Sequence, residues 1–150
     1  MNTFYDKLFS IECGRPYPLG ATYIGDDKVN FSVAIKMGKS CGVILYNLKS
    51  GKEYRIPFKR ENKIGDVYCM LIAGINPDLY DYNFFNDSEI VNDPYSKLIR
   101  GNEKWGAVPG LLRSGIYNNS YDWGDDTKPQ NTYGDSIFYN LHIKILSKLK

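Results

Sequence analysis

Apolar and polar positions alternate along much of the first two thirds of the chain. Over residues 29–36, Phe31, Val33 and Ile35 fall on one side, and Asn30, Ser32 and Lys36 on the other. This period of two predicts a strand with one buried face. Residues 41–46 are mostly apolar, as suits a central strand. Over 53–58, Tyr54, Ile56 and Phe58 oppose Glu53, Arg55 and Pro57; the proline cannot donate to a ladder, so this strand is expected at a sheet edge. Residues 67–73 form another apolar strand. In the stretch 79–97, Tyr80, Tyr82 and Phe84 alternate with Asp81, Asn83 and Phe85. Asn86, Asp87 and Ser88 then supply turn chemistry, and Asp93-Pro94 forces an extended exit.

Turn signals separate these runs: Gly25 to Lys28, Lys49 to Lys52, and Asn76-Pro77-Asp78. Short strands spaced about 8–12 residues apart, with no helical period before Pro94, predict an all-β protein. The fold class is an antiparallel β-sandwich of the immunoglobulin-like type. Residues 1–12 read as an N-terminal arm and 13–97 as the sandwich. Residues 98–135, rich in Gly, Asn, Asp and Pro, read as an irregular connector. Over 136–143, Ile137, Tyr139 and Leu141 oppose Phe138, Asn140 and His142. The expectation is one orphan strand ending a long irregular C-terminal extension.

Composition narrows the function classes. Aromatics make up 15% of the chain, with 13 tyrosines, which suits either pleated-sheet packing or a stacking surface for sugars or bases. A net charge of +2 with scattered basic residues lacks the clustered footprint of nucleic-acid binding. No apolar run approaches the ~20 residues of a membrane helix. The opening MNTFYDKLF is polar where a secretory signal has its apolar core, so the expectation is a cytoplasmic chain without membrane contact.

Catalytic and cofactor chemistry find little to use. Cys13, Cys41 and Cys69 form neither a disulfide ladder nor a metal pair, and Cys41 and Cys69 read as small buried hydrophobes. One histidine and no spaced acidic loop leave no metal site. The glycines at 101, 106, 110 and 115 lack the strand-loop-helix context of a phosphate loop, so no cofactor is expected. His142 stands without a nucleophile elbow. Asp26-Asp27 and Asp125-Asp126 read as solvated turn acids rather than a hydrolytic pair. By spacing alone this is a non-catalytic sandwich.

The motifs add a resemblance. GRPYPLGATYIGDDKVNFSVA over 14–34, Gly65-Asp66-Val67-Tyr68, Tyr80-Asp81-Tyr82-Asn83 and Asp93-Pro94-Tyr95-Ser96-Lys97 follow one another in order. After them come Trp105-Gly106, Tyr121-Asp122-Trp123 and the IFYNLHI run over 137–143. Together they resemble the N-terminal part of glycogen-debranching enzymes and type I pullulanases, including the isoamylase-like members. The resemblance implies a family 48 carbohydrate-binding module over roughly the first hundred residues. It also implies that 136–150 is the truncated start of a family 13 glycosidase barrel.

That resemblance implies a module accessory to the hydrolysis of α-glucan (glycogen, starch or pullulan). Its barrel acids have no counterpart here, so no hydrolysis is expected from this chain, and a lone strand cannot close a barrel. Glucan-binding members stack a glucose on a tryptophan beside a lysine, and the matching positions here are Ile90 and Asn83. Neither residue supplies the aromatic face or the charge. The implied roles are weak α-1,4/α-1,6-glucan binding, or packing that positions the catalytic barrel. An alternative is a protein-interaction or self-associating sandwich, with residues 137–143 pairing two copies. The candidate sugar contacts are Tyr46, Asn83, Phe85, Ile90 and Trp105.

Overall fold

The computed structural model describes residues 8–36, 38, 40–102, 104, 106, 108, 110–118 and 122–140. The chain divides into two compact units, Met1–Asn119 and Ser120–Lys150. The first is an antiparallel sandwich of two sheets. The strands of sheet A are β1 (Ser10–Cys13), β2 (Gly20–Gly25), β3 (Lys28–Ala34), β6 (Lys63–Ile64) and β7 (Val67–Ala73), in the order β1-β7-β3-β2 with β6 also on β7. Sheet B holds β4 (Cys41–Asn47), β5 (Glu53–Pro57), β8 (Tyr80–Asn86), β9 (Glu89–Val91), β10 (Ile99–Arg100) and β11 (Arg113–Gly115). Its order is β10-β11-β8-β4-β5, with β9 also on β8. The proline-bearing β5 is at the sheet edge, where its missing N–H leaves no ladder bond broken.

The inner faces form one core. Val29, Phe31, Val33, Tyr68, Met70 and Ile72 from sheet A meet Val43, Leu45, Ile56, Tyr82 and Phe84 from sheet B. Aromatic edges fill its middle, with Phe31 and Tyr82 centroids 5.2 Å apart at 67°. Phe9 closes one end against Tyr54 at 5.4 Å. Cys41 and Cys69 are buried, and burial is the first cause pushing both thiols up, away from the reactive thiolate. Asp26 and Asp27 have φ of 49° and 53°, the two left-handed positions of a type I′ hairpin turn. They shape the β2–β3 hairpin.

Two additions close the sandwich from outside. A strap after β1 crosses the outer face of sheet A. There the Arg15 N–H donates to Asn30 Oδ1 at 2.7 Å, and Ser32 Oγ donates to the Pro16 carbonyl at 2.7 Å. Gly14 lies so near β7 that a Cβ would come within 2.6 Å of the Met70 backbone nitrogen. The second addition is the β10–β11 pair, which extends sheet B beyond β8. All of β1 except Cys13, and all of β10–β11, lie outside the 13–97 span expected for the sandwich. The structural unit therefore takes in part of the expected arm and part of the expected connector. Two- and three-residue strands such as Arg113–Gly115 are too short to show a period, so only their pairing with β8 reveals them.

A buried polar contact joins the sheets near the Asp-Pro corner. Tyr82 Oη donates to Asp93 Oδ2 at 2.5 Å, and Asp93 Oδ1 accepts the Tyr95 N–H at 2.9 Å. Gly20 of β2, at φ +91°, comes so close that a Cβ would stand 2.8 Å from Asp93 Oδ2. The corner is thus pinned to both sheets.

In the second unit, a 3₁₀ turn, Tyr133–Asp135, is the one helical element among that unit's described residues, and the first unit has another at Arg60–Asn62. Residues 136–140 of the expected orphan strand carry no strand pairing. Strand geometry is held by a neighbour's ladder, and no described strand pairs with them. Residues 141–143 lie outside the described residues.

Candidate functional site

The expected sugar face is the outer side of sheet B. In the β4–β8 register, Ile44 lies opposite Asn83, Tyr46 opposite Asp81, and Gly42 opposite Phe85. Ile90 of β9 lies opposite Phe85. Directly opposed residues in an antiparallel pair share a face. Tyr46, Asn83, Phe85 and Ile90 are therefore brought together, whereas Trp105 lies outside the described residues.

Proximity is not access. Relative exposure is 2% for Tyr46, 0% for Asn83 and 5% for Phe85, and only Ile90, at 38%, is open. Ile44, Tyr46 and Phe85 form a second apolar cluster of their own. Arginines cover it. The Arg113 guanidinium lies 4.1 Å from the Tyr46 ring centroid, and that of Arg55 lies 5.7 Å from the Phe85 centroid. Both rings have a cation where a pyranose would stack.

The segment bearing β11 holds this cover in place. Asn83 Nδ2 donates to the Leu112 carbonyl at 2.8 Å, anchoring the chain just before Arg113. Arg100, opposite Arg113 in the β10–β11 register, pairs with the buried Asp81 at 2.9 Å. Tyr46 is raised above the ordinary phenol range, first by burial and then by Glu53, with Asn83 and the two arginines pulling the other way. Its hydroxyl lies under the arginine cover, and neither Tyr46 Oη nor Asn83 Oδ1 has a partner at full hydrogen-bond geometry.

The candidate residues Tyr46, Asn83 and Phe85 form the floor of this face, and the arginines above them were not among the candidates. Arg55 carries the signal of a polar position on an alternating strand. Arg100 and Arg113 had no periodic context to mark them. Chemically, the face presents guanidinium groups over aromatic rings and an ion pair between the half-exposed Arg100 and the buried Asp81. Among the described residues, no group of three or more His, Cys, Asp or Glu could hold a metal ion. None of their helices is long and apolar enough to cross a membrane.

Comparisons with known proteins fit this architecture. The chain is 27% identical to the glycogen debranching enzyme of Salmonella schwarzengrund (strain CVM19633), over 95% of this chain and 25% of that protein. The glycogen debranching enzyme of Salmonella typhi is 26% identical over the same shares. The apo pullulanase of Paenibacillus barengoltzii superposes with a TM-score of 0.53 at 23% identity, covering 77% of this chain and 17% of that one. No protein-family model matches. The relation to glycogen debranching enzymes implied by the motifs thus holds along nearly the whole chain. The pullulanase likeness adds that the fold is shared. The chain spans about a quarter of the length of the curated relatives it matches.

Proposed function

We propose that this relative of the glycogen debranching enzymes is a non-catalytic accessory module for α-glucan debranching. Its sandwich positions a catalytic barrel rather than gripping glucan on sheet B. One observation supports this above the others: at the expected sugar face, Tyr46 and Phe85 lie buried beneath Arg113 and Arg55. A stacking platform needs an open aromatic face. A sealed aromatic layer instead stiffens the sheet that a neighbouring domain rests on.

Two measurements test this reading. Reducing-sugar release from pullulan or glycogen should stay at the buffer blank, and measurable release would overturn the non-catalytic role. In glycogen-containing gels, Phe85→Ala should migrate like the unsubstituted chain even though it melts earlier. Glycogen-dependent retardation lost only in Phe85→Ala would mean that sheet B does grip glucan.

A second reading, a protein-interaction or self-associating module, draws on the other unit. Ile137, Phe138 and Tyr139 are 82%, 76% and 81% exposed, an apolar run of the kind that a partner or second copy covers. Light scattering that shows a monomer at high concentration would remove the self-association form of this reading.

A further inference from the structure

The arginines that close the outer face of sheet B form a row. Arg55 lies opposite Ile44, and Ile44 opposite Asn83. Arg113 precedes Ser114, whose partner is Tyr82, so it flanks Asn83 on the far side. Arg100 then lies opposite Arg113. Directly opposed residues share a face, so the order across the sheet is Arg55, Ile44, Asn83, Arg113, Arg100. With strands about 4.8 Å apart, roughly 14 Å separates the Arg55 and Arg113 backbones.

The three arginines are not in the same electrostatic state. Arg100 is paired, its Nε 2.9 Å from the buried Asp81. Arg113 and Arg55 are instead steadied by the Tyr46 and Phe85 rings, at 4.1 and 5.7 Å from the centroids. Packing on a ring restrains a guanidinium without spending its N–H donors on an acceptor. Among the described residues, no carboxylate comes within 4.0 Å of either group. Glu53, opposite Tyr46 on the edge strand, is the one exposed acid among the described strand residues of this face. Two oriented forks thus stand over the sheet with their donors unused.

We propose that this row is a docking surface for a protein partner that presents Asp or Glu side chains to Arg55 and Arg113. This rests on the positioning reading and gives the contact face of the neighbouring domain its chemistry, an acidic one. Charge complementarity selects the occupant. A guanidinium fork matches a carboxylate with two parallel hydrogen bonds, and forks already held by rings lose little freedom on binding. Arginine and tyrosine are also the residues on which binding energy concentrates in protein interfaces. Ile90, 38% exposed and opposite Phe85, adds an apolar contact at the border. A nucleic-acid backbone suits the row less well. It calls for a run of free cations, whereas Arg100 is already neutralised and Glu53 stands on the same face.

The test is an amide chemical-shift titration of the full chain with a hexaglutamate peptide and, separately, with a short DNA duplex. The expected result is saturable perturbation by hexaglutamate centred on residues 44–46, 53–55, 81–85 and 113–115. Arg55→Lys and Arg113→Lys keep a cation over each ring but lose the fork, and each should weaken binding about three- to tenfold. A purely structural cover would leave the affinity unchanged in both. The unperturbed remainder of each spectrum checks that the variants fold. Unchanged affinity in both lysine variants, perturbation centred on Lys36 and Lys63 instead, tighter binding of the duplex, or no response at all would each overturn the acidic partner. Reducing-sugar release and Phe85→Ala mobility test the positioning reading itself, so its failure is distinguishable from failure of the docking row.

Discussion

Tyr82 carries a phenol into the centre of the sandwich and completes the Asp93 carboxylate there. Its pKa is driven far above the usual phenol range, first by burial, then by the Asp93 charge and the hydrogen bond to it. A raised folded pKa contributes stability below the unfolded phenol value of about 10. That contribution is lost as pH climbs from there toward the folded value, at up to ~1.4 kcal/mol per pH unit for one group. Melting temperature should therefore fall above about pH 10, and less steeply in Tyr82→Phe. At neutral pH that variant should lose roughly 1.5–3 kcal/mol in urea unfolding, because a hydrogen bond to a buried charge disappears. An equal alkaline slope in both proteins would remove Tyr82 as the cause. At the sealed face, Arg113→Ala should cost ~1–2 kcal/mol and increase hydrophobic-dye binding, because the Tyr46 ring loses its cation and its cover. Unchanged dye binding would mean that Arg113 is not the cover. Single residues also mark what could be read in advance. Alternation puts Asn83 and Phe85 on one face, but joining Tyr46 to them takes the β4–β8 register, and their burial depends on an arginine from a distant strand.

Elements with several alternating residues were legible, whereas short ones were not. β7 matches the expected 67–73 run, and β4 and β5 match theirs to within one residue. β1, β6, β10 and β11 have two to four residues each, too few for a period to stand out. The outer faces of central strands also read as more exposed than they are, since the strap and the β10–β11 pair cover them. Glycine shows how tightly these layers meet. A Cβ at Gly42 in central β4 would come within 2.2 Å of the Ile56 carbonyl oxygen and 2.7 Å of Phe85. Gly42→Ala should destabilise by roughly 3 kcal/mol or prevent folding. Gly51→Ala, in open space but at φ +68°, should cost only ~1–2 kcal/mol of backbone strain. Equal costs in a urea series would mean that β4 and β5 do not meet as closely as described.

At the scale of the whole molecule, the sandwich is a closed structural unit and the 122–140 segment is an exposed one. The fold class followed from pattern and motif together. The burial of the candidate sugar face did not, because Tyr46, Asn83 and Phe85 lie beneath cover that only the tertiary structure supplies. The Tyr82–Asp93 contact has one more consequence, a spectroscopic one. Tyr46 and Tyr82 are two of 13 tyrosines, and both are held neutral beyond the pH at which a free phenol ionises. In an alkaline absorbance titration, the last phenolate signal will appear only as the sandwich comes apart. The protein thus carries its own optical reporter of global unfolding, with no label required.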